Sequence, residues 1–276
     1  MGLLQSKVAF VTGIARGQGR SHALTLAKEG ADIIGLDLCE KLDSTVYPGS
    51  TLADLQETVR LVEATGQRIV AEVADVRDLP QVEKVFQRGI EEFGHVDFVV
   101  ANAGIFASGK FWEIEPAAWQ EMLDINLTGV WNTVRVAAPS MIARNQGGSI
   151  VITGSTESIK GMANTASYSA AKHGVTGLMR TMANELGEYG IRVNTVNPTC
   201  VDTNMIQNEG VYRLFQPQAE THTRESVAGA FASTNVIPVP WIEPSDVSQS
   251  ILWLLSDASR YVTGAALPVD AGFTIK

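Results

Sequence analysis

The chain has 276 residues, 45% of them hydrophobic, enough to bury a full core as one α/β domain. Its formal net charge is −9 and its lysines and arginines are scattered, which disfavours nucleic acid and anionic membranes as partners. No apolar run approaches the roughly 20 residues that cross a bilayer, and no export-type leader opens the chain, so a cytoplasmic protein is expected.

Runs of β-branched residues alternate with helical patterns from end to end. That alternation predicts a parallel sheet covered on both faces, with strands at 7–12, 32–37, 68–74, 97–101, 148–154, 191–196 and 264–270. Met1 to Ser6 matches a myristoylation pattern, but the segment is also the short lead into the first strand and has no second anchoring signal. After that strand comes Thr12-Gly13-Ile14-Ala15-Arg16-Gly17-Gln18-Gly19. Its glycines allow a tight turn, close backbone approach to a pyrophosphate and a helix from Gly19 to Glu29 whose N–H groups face the phosphates.

Asp37 closes the second strand, where a carboxylate accepts hydrogen bonds from ribose hydroxyls and repels a 2′-phosphate. The connection from Leu38 to Ser50 is longer than a strand-to-helix loop needs, and such loops beside ligand sites are often lids. Asp75-Val76 follows the third strand, with Asp75 and Asp78 both candidates to cap the next helix. Asn102-Ala103-Gly104 follows the fourth strand.

A long helical pattern, Pro116 to Asn145, carries Asn126 among apolar neighbours, where an amide is a poor helix former. Ser155 lies just beyond the fifth strand, and Glu157 two positions later signals recognition of one more polar group. In the helical run Ala166 to Glu188, Tyr168 and Lys172 stand at i, i+4 on one face. A cation so placed favours the phenolate, and an opposite charge at close range lowers a pKa by roughly 1–3 units. A tyrosine tuned in this way exchanges a proton with an alcohol oxygen. After Asn197-Pro198 a segment of about 200–243 carries Met205, Tyr212, Leu214, Phe215, Phe231 and Trp241 on the ligand side of the sheet. It is expected to form a substrate lid, joined by Phe106, Phe111 and Met162. Cys39 and Cys200 suggest no disulfide framework, His22, His95, His173 and His222 have no ligand spacing, and His173 reads as a packing residue; no metal is expected.

Taken in order, Thr12 to Gly19, Asn102 to Gly104, Asn126, Ser155, Tyr168 with Lys172, and Asn197-Pro198 resemble the short-chain dehydrogenase/reductase family over nearly the whole chain. The resemblance implies one Rossmann-type, doubly wound α/β domain over 1–276 with seven parallel strands, binding NAD. By that resemblance Asn126, Ser155, Tyr168 and Lys172 are catalytic, Lys172 also binding the nicotinamide ribose and Asn126 holding a water. Cofactor contacts would come from Gly13, Arg16, Gly17, Gln18, Gly19, Asp37, Leu38, Asp75, Val76, Asn102, Ala103, Gly104, Pro198, Val201 and Thr203. Two departures stand out. Arg16 is of the kind that helps relatives hold NADP, and Thr199 replaces a usual glycine, leaving the local backbone path open. The 38–50 connection, with Tyr47-Pro48-Gly49-Ser50-Thr51 leading into Leu52-Ala53-Asp54-Leu55, resembles the mycofactocin-associated, carveol dehydrogenase-like branch, which implies tightly held NAD and an external redox partner of mycofactocin type. The apolar lid segment points to a mostly apolar secondary alcohol or ketone such as carveol, and the family resemblance implies a homotetramer. Two alternatives stay open: an exchangeable NAD(P)-dependent reductase of acyl, sugar or steroid carbonyls, and a non-catalytic NAD-binding sensor.

Overall fold

The structure, a computed structural model, describes residues 2–276. Seven parallel strands form one sheet in the order β3-β2-β1-β4-β5-β6-β7. They are β1 Val8–Thr12, β2 Asp32–Asp37, β3 Ile69–Val73, β4 Phe98–Ala101, β5 Gly148–Thr153, β6 Ile191–Pro198 and β7 Ala266–Val269. All seven strands expected from the sequence are present. Successive side chains of a strand point to opposite faces, so each strand feeds two cores. In β1, Phe10 packs with Ile34, Val99 and Ile150 on one face, whereas Ala9 and Val11 pack with Ile33, Val100 and Val151 on the other.

Three helices cover the second face: α1 Gly17–Lys28, α2 Leu52–Glu63 and α9 Pro244–Leu255. The first face is covered by α3 Leu79–Phe93, α5 Gly129–Arg144 and α6 Ala166–Leu186. Strand order reverses between β1 and β4, which opens a crevice at their carboxyl ends, the usual ligand site of such sheets.

The structure departs from the sequence expectation twice. The pattern 116–145 is not one α-helix: α4 Pro116–Leu123 passes through a π-helical turn, Asp124–Thr128, before α5 begins. Asn126 sits in that wider turn with its side chain spent on Ile105, a tie that a continuous α-helical ladder does not require. The segment 200–243 is also more ordered than a loop, containing α7 Glu209–Phe215 and α8 Arg224–Ser233. Asn208 and Thr223 cap these helices by accepting N–H bonds from Val211 and Ser226.

Candidate active site

At the switch point the turn after β1 is bolted to the turn after β4. Thr12 Oγ1 accepts the N–H groups of Asn102 and Ala103, both at 3.1 Å, and Asn102 Nδ2 donates to the Thr12 carbonyl at 3.0 Å. Gly13 holds φ +72°, the left-handed region that costs glycine little. A Cβ on Gly19 would lie 1.9 Å from the Gly13 carbonyl oxygen, so nothing larger fits where α1 meets the turn. Arg16, at the N-cap, makes no side-chain cap bond, and α1 starts with its N–H groups open to the crevice. The buried Oε1 of Gln18 has no partner. The open backbone donors at this helix start fit the pyrophosphate of a dinucleotide, while the Gln18 oxygen can only accept, from a ligand hydroxyl or amide N–H.

The cavity over this turn has about 1040 Å³ of free space, solvent mouth included. Its walls contain Gly13, Arg16, Gly17, Gln18, Gly19, Asp37, Leu38, Asp75, Val76, Asn102, Ala103, Gly104 and Thr203. Asp37 is buried. Its Oδ2 accepts from Ala15 N–H at 2.9 Å, and its Oδ1 accepts from Cys39 N–H at 3.1 Å and from the Ser50 hydroxyl at 2.5 Å. A carboxylate offers about four acceptor sites. Asp37 therefore ties the Gly-rich turn to both ends of the 38–50 connection and keeps one site for a ligand hydroxyl.

That connection is strapped across the cavity. Its neck closes so tightly that a Cβ on Gly49 would lie 2.3 Å from the Glu40 carbonyl oxygen. Arg16 donates to the Pro48 carbonyl, so its guanidinium holds the strap. The buried Tyr47 hydroxyl accepts the Phe106 N–H at 3.0 Å, and burial pushes that phenol up to about 12. Tyr47, Thr45 and Leu42 line the cavity; no sequence signal singled out Leu42 or Thr45 as a wall residue, and Tyr47 stood only within the stretch that carries the branch resemblance. Of the two possible caps, Asp78 caps α3 by accepting from Gln81 N–H at 3.2 Å. The Asp75 carboxylate instead pairs with Arg77 at 2.6 Å, and Arg77 reaches on to Glu121 at 3.0 Å.

A second cavity continues from the first, sharing Gln18, Asn102, Gly104, Ile105, Thr203 and Met205. It brings together Asn126, Ser155, Tyr168, Lys172, Pro198 and Val201. Ser155 caps a short 3₁₀ turn, Thr156–Ser158, its Oγ accepting Glu157 N–H at 3.1 Å, which leaves the hydroxyl proton free to donate. Lys172 is buried and donates from Nζ to the Thr153 carbonyl at 2.7 Å, with its ammonium 5.6 Å from the centre of the Tyr168 ring. Two of its three N–H donors remain. Asn126 has its side chain committed: Oδ1 accepts Ile105 N–H at 2.9 Å and Nδ2 donates to Ile105 O at 2.9 Å.

The expectation that Lys172 lowers the Tyr168 pKa is not met. Burial pushes the Tyr168 phenol up, the Glu157 charge pushes the same way, and the Ser155 hydroxyl pulls back. Burial also brings Lys172 down to about 8, which makes it a weaker cation than its spacing suggests.

The outer wall of this cavity is a satellite core. Phe106, Val211, Tyr212, Val227 and Phe231 are buried, with Met205, Leu214, Phe215 and Trp241 packed against them. Phe215 stacks on Phe231 at 3.8 Å between ring centres, and the Phe106 ring meets Tyr168 edge-on at 5.1 Å. Phe106 and Met162 line the cavity as expected, but Phe111 is 70% exposed and meets Trp112 on the surface. His173 is exposed rather than packed, its ring bonded to the Ser169 carbonyl at 2.9 Å. Thr199 is buried without a left-handed φ, so the backbone there needs no glycine. Phe273, near the C-terminus, also lines the cavity, and only the fold brings it there. Among the described residues no cluster of His, Cys, Asp and Glu could hold a metal ion.

A family model described as enoyl-(acyl carrier protein) reductase matches residues 13–274. The chain is 49% identical to (−)-trans-carveol dehydrogenase of Rhodococcus erythropolis, with 100% of both chains covered. It superposes on carveol dehydrogenase from Mycobacterium avium in complex with NAD with a TM-score of 0.99, at 48% identity and 100% coverage of both. A short chain dehydrogenase from Mycobacterium paratuberculosis bound to NAD gives a TM-score of 0.92 at 44% identity, again over 100% of both. With its Gly-rich cradle and its serine, tyrosine and lysine on one cavity, the chain belongs to the short-chain dehydrogenase/reductase family.

Proposed function

We propose that this chain is an NAD-dependent oxidoreductase interconverting a mostly apolar, carveol-like secondary alcohol and its ketone. The observation that carries the reading is the joining of two cavities, one built on the Gly-rich turn and the other on Ser155, Tyr168 and Lys172. NAD would lie along the Gly-rich turn, Asp37, Val76 and the Asn102–Gly104 turn, with its reactive end towards Tyr168, Pro198, Val201 and Thr203. When bound it supplies the hydride acceptor or donor.

Proton handling falls to the chain. Ser155 donates to the substrate oxygen and fixes its position. Tyr168 gives its phenolic proton to that oxygen in the reduction and takes it back in the oxidation. Burial and the Glu157 charge raise the Tyr168 pKa, so the phenol rests in its proton-donating form at neutral pH. Lys172 offers its two remaining N–H donors to ribose hydroxyls. Asn126, its side chain tied to Ile105, shapes the turn beside Gly104, and any water on the proton path rests on the backbone of the π-helical turn.

The strap over the cofactor cavity supports tightly held NAD, with electrons leaving through an external redox partner of the mycofactocin type. Tyr47, Pro48 and Ser50 anchor it from three directions. A homotetramer and a cytoplasmic location complete the reading. Support for assembly comes from Trp253, 40% exposed, and Tyr261, 89% exposed, large rings left at the surface. No described helix is long and apolar enough to cross a membrane.

The test is to denature the purified protein and identify the released nucleotide, then to assay alcohol oxidation with free NAD and with an artificial electron acceptor. Stoichiometric NAD and turnover only with the acceptor are expected. Nucleotide removed by dialysis, with ordinary NADH production, returns the protein to the exchangeable class. Absence of turnover in both assays, with NAD bound, favours the sensor.

A further inference from the structure

Glu157 is the chemically discordant residue of the substrate cavity. The cavity it lines is walled on one side by Met162, Leu214, Phe215 and Phe273, yet Glu157 carries a carboxyl and is only 4% exposed. Burying a carboxylate among apolar groups is costly without partners. Glu157 has partners on one oxygen only. Oε2 accepts from the Thr165 hydroxyl at 2.5 Å and from the Ser169 hydroxyl. Oε1 accepts from no protein group, and it is not among the sealed-in polar atoms that lack a partner, so it keeps access to the cavity that Glu157 lines. No lysine or arginine pairs with the carboxyl, and burial pushes its pKa up.

Anchoring the start of α6 through Thr165 and Ser169 does not require a carboxyl. A glutamine oxygen would accept from both hydroxyls equally well, at lower desolvation cost. What the second carboxyl oxygen adds is an acceptor facing the substrate. Ser155 and Glu157 are two positions apart on one turn, so the group that holds the reacting oxygen and the free acceptor border the same ligand.

We infer that Glu157 is a specificity-determining residue, and that the preferred substrate is a cyclic secondary alcohol or ketone carrying a second hydroxyl, which donates to Glu157 Oε1. The inference rests on the oxidoreductase reading of the same site and narrows its substrate class from hydrocarbon alcohols to hydroxylated ones. A hydrogen bond to a charged acceptor in such a site discriminates by about 10- to 100-fold.

The experiment compares cyclohexanol with cyclohexane-1,2-, 1,3- and 1,4-diols on the NAD-loaded protein and on its Glu157→Gln variant. Turnover is followed with an artificial acceptor and binding by calorimetry. Glutamine keeps the anchor to Thr165 and Ser169 but presents N–H where Oε1 stood. The parent should bind and oxidise at least one diol about 10-fold better than cyclohexanol. Glu157→Gln should erase that preference, lowering binding and turnover of the diol at least about 10-fold more than those of cyclohexanol, and leave NAD content unchanged. A Ser169→Ala variant, which loosens the anchor but keeps the carboxyl, should retain the preference. No diol preference in the parent, or equal losses on all substrates in Glu157→Gln, overturns the inference. Because binding is read separately, a protein that binds diols preferentially but oxidises none fails the oxidoreductase reading while the recognition by Glu157 stands.

Discussion

The two joined cavities are built in different ways. The cofactor cavity is made at the ends of β1, β2 and β4, by turns whose backbone N–H groups donate to two side chains: Asn102 and Ala103 to the Thr12 hydroxyl, and Ala15 and Cys39 to the Asp37 carboxylate. Its shape is set by regular strands and by glycines that admit no side chain. The substrate cavity joins a 3₁₀ turn after β5, the start of α6, two lid helices and Phe273 from the end of the chain. Its shape is set by side-chain packing between segments far apart in sequence. The first should be brittle towards backbone change and little affected by the two lid helices, and the second the reverse.

The sharpest test of that division is Tyr168→Phe. The ring keeps its edge-on contact with Phe106, so the wall survives, while the proton-transferring hydroxyl is gone. Turnover should fall by at least about 10²- to 10⁴-fold, with bound NAD within a few fold of the parent. Turnover within a few fold of the parent would dismiss Tyr168 as the acid/base. Next in size is Gly19→Ala. Its methyl would lie 1.9 Å from the Gly13 carbonyl, which must move and take the cradle with it. NAD should be lost on purification while the lid cluster still folds, a separation visible as retained near-UV aromatic signal. NAD at parental occupancy would show that the cradle is not rigid.

The same division explains what could be read in the sequence. Strand periodicity and the order of the Gly-rich turn, Asn102, Ser155 and Tyr168 are local patterns, and they pointed to the sheet, the cradle and the side chains proposed to react. Every proposed cofactor and catalytic residue lines one of the two cavities. Quantities set by three-dimensional packing were not legible. The direction of the Tyr168 pKa depends on burial and on the Glu157 charge, neither of which an i, i+4 spacing reveals. Arg16, which by resemblance is of the kind that helps relatives hold NADP, lines the cofactor cavity, and only the fold shows its guanidinium also holding Pro48. At the break in the 116–145 helix Asn126 bonds Ile105, a contact between segments far apart in sequence that no local pattern reveals. Phe273 carries no motif, and the stretch that contains Tyr47 does not reveal that its hydroxyl meets Phe106.

Where the strap joins the two cavities, a smaller effect sharpens the comparison. Tyr47 reaches from the strap to Phe106 N–H, and the Phe106 ring touches Tyr168, so one chain of contacts links cofactor retention to the reaction centre. Tyr47→Phe removes the acceptor from a buried N–H, which costs about 1–3 kcal/mol. If that bond holds the strap shut, bound NAD should exchange with labelled NAD on the order of 10-fold faster, because such changes fall mainly on dissociation. The turnover rate with an artificial acceptor should change less. Unchanged exchange would mean that the Arg16 and Ser50 ties suffice.

The smallest effect lies beneath the cradle, in α1. His22 is fully buried, bonded to Ser248 Oγ at 2.8 Å, and burial brings its pKa down from 6.5 to about 3. The folded chain therefore keeps this imidazole neutral where the unfolded chain already binds a proton. Between pH 6.5 and about 3 the unfolded state holds more protons, so stability falls as pH falls through that window and is unaffected by His22 above it. From pH 6.5 to 5.5 the loss should be about 1 kcal/mol, read as a lower urea midpoint. A His22→Gln variant has no proton to gain there. It should be less stable than the parent at pH 7, through the altered contact with Ser248, yet lose less on acidification. Because α1 carries the cradle, NAD should leave the parent in the same pH window, while the lid cluster, held by stacked rings and apolar contacts, keeps its near-UV signal. Equal acid losses in parent and variant would remove His22 as the cause and leave the acid response to buried carboxylates such as Asp97, which pairs with Lys7 and Arg144 and whose pKa is held low.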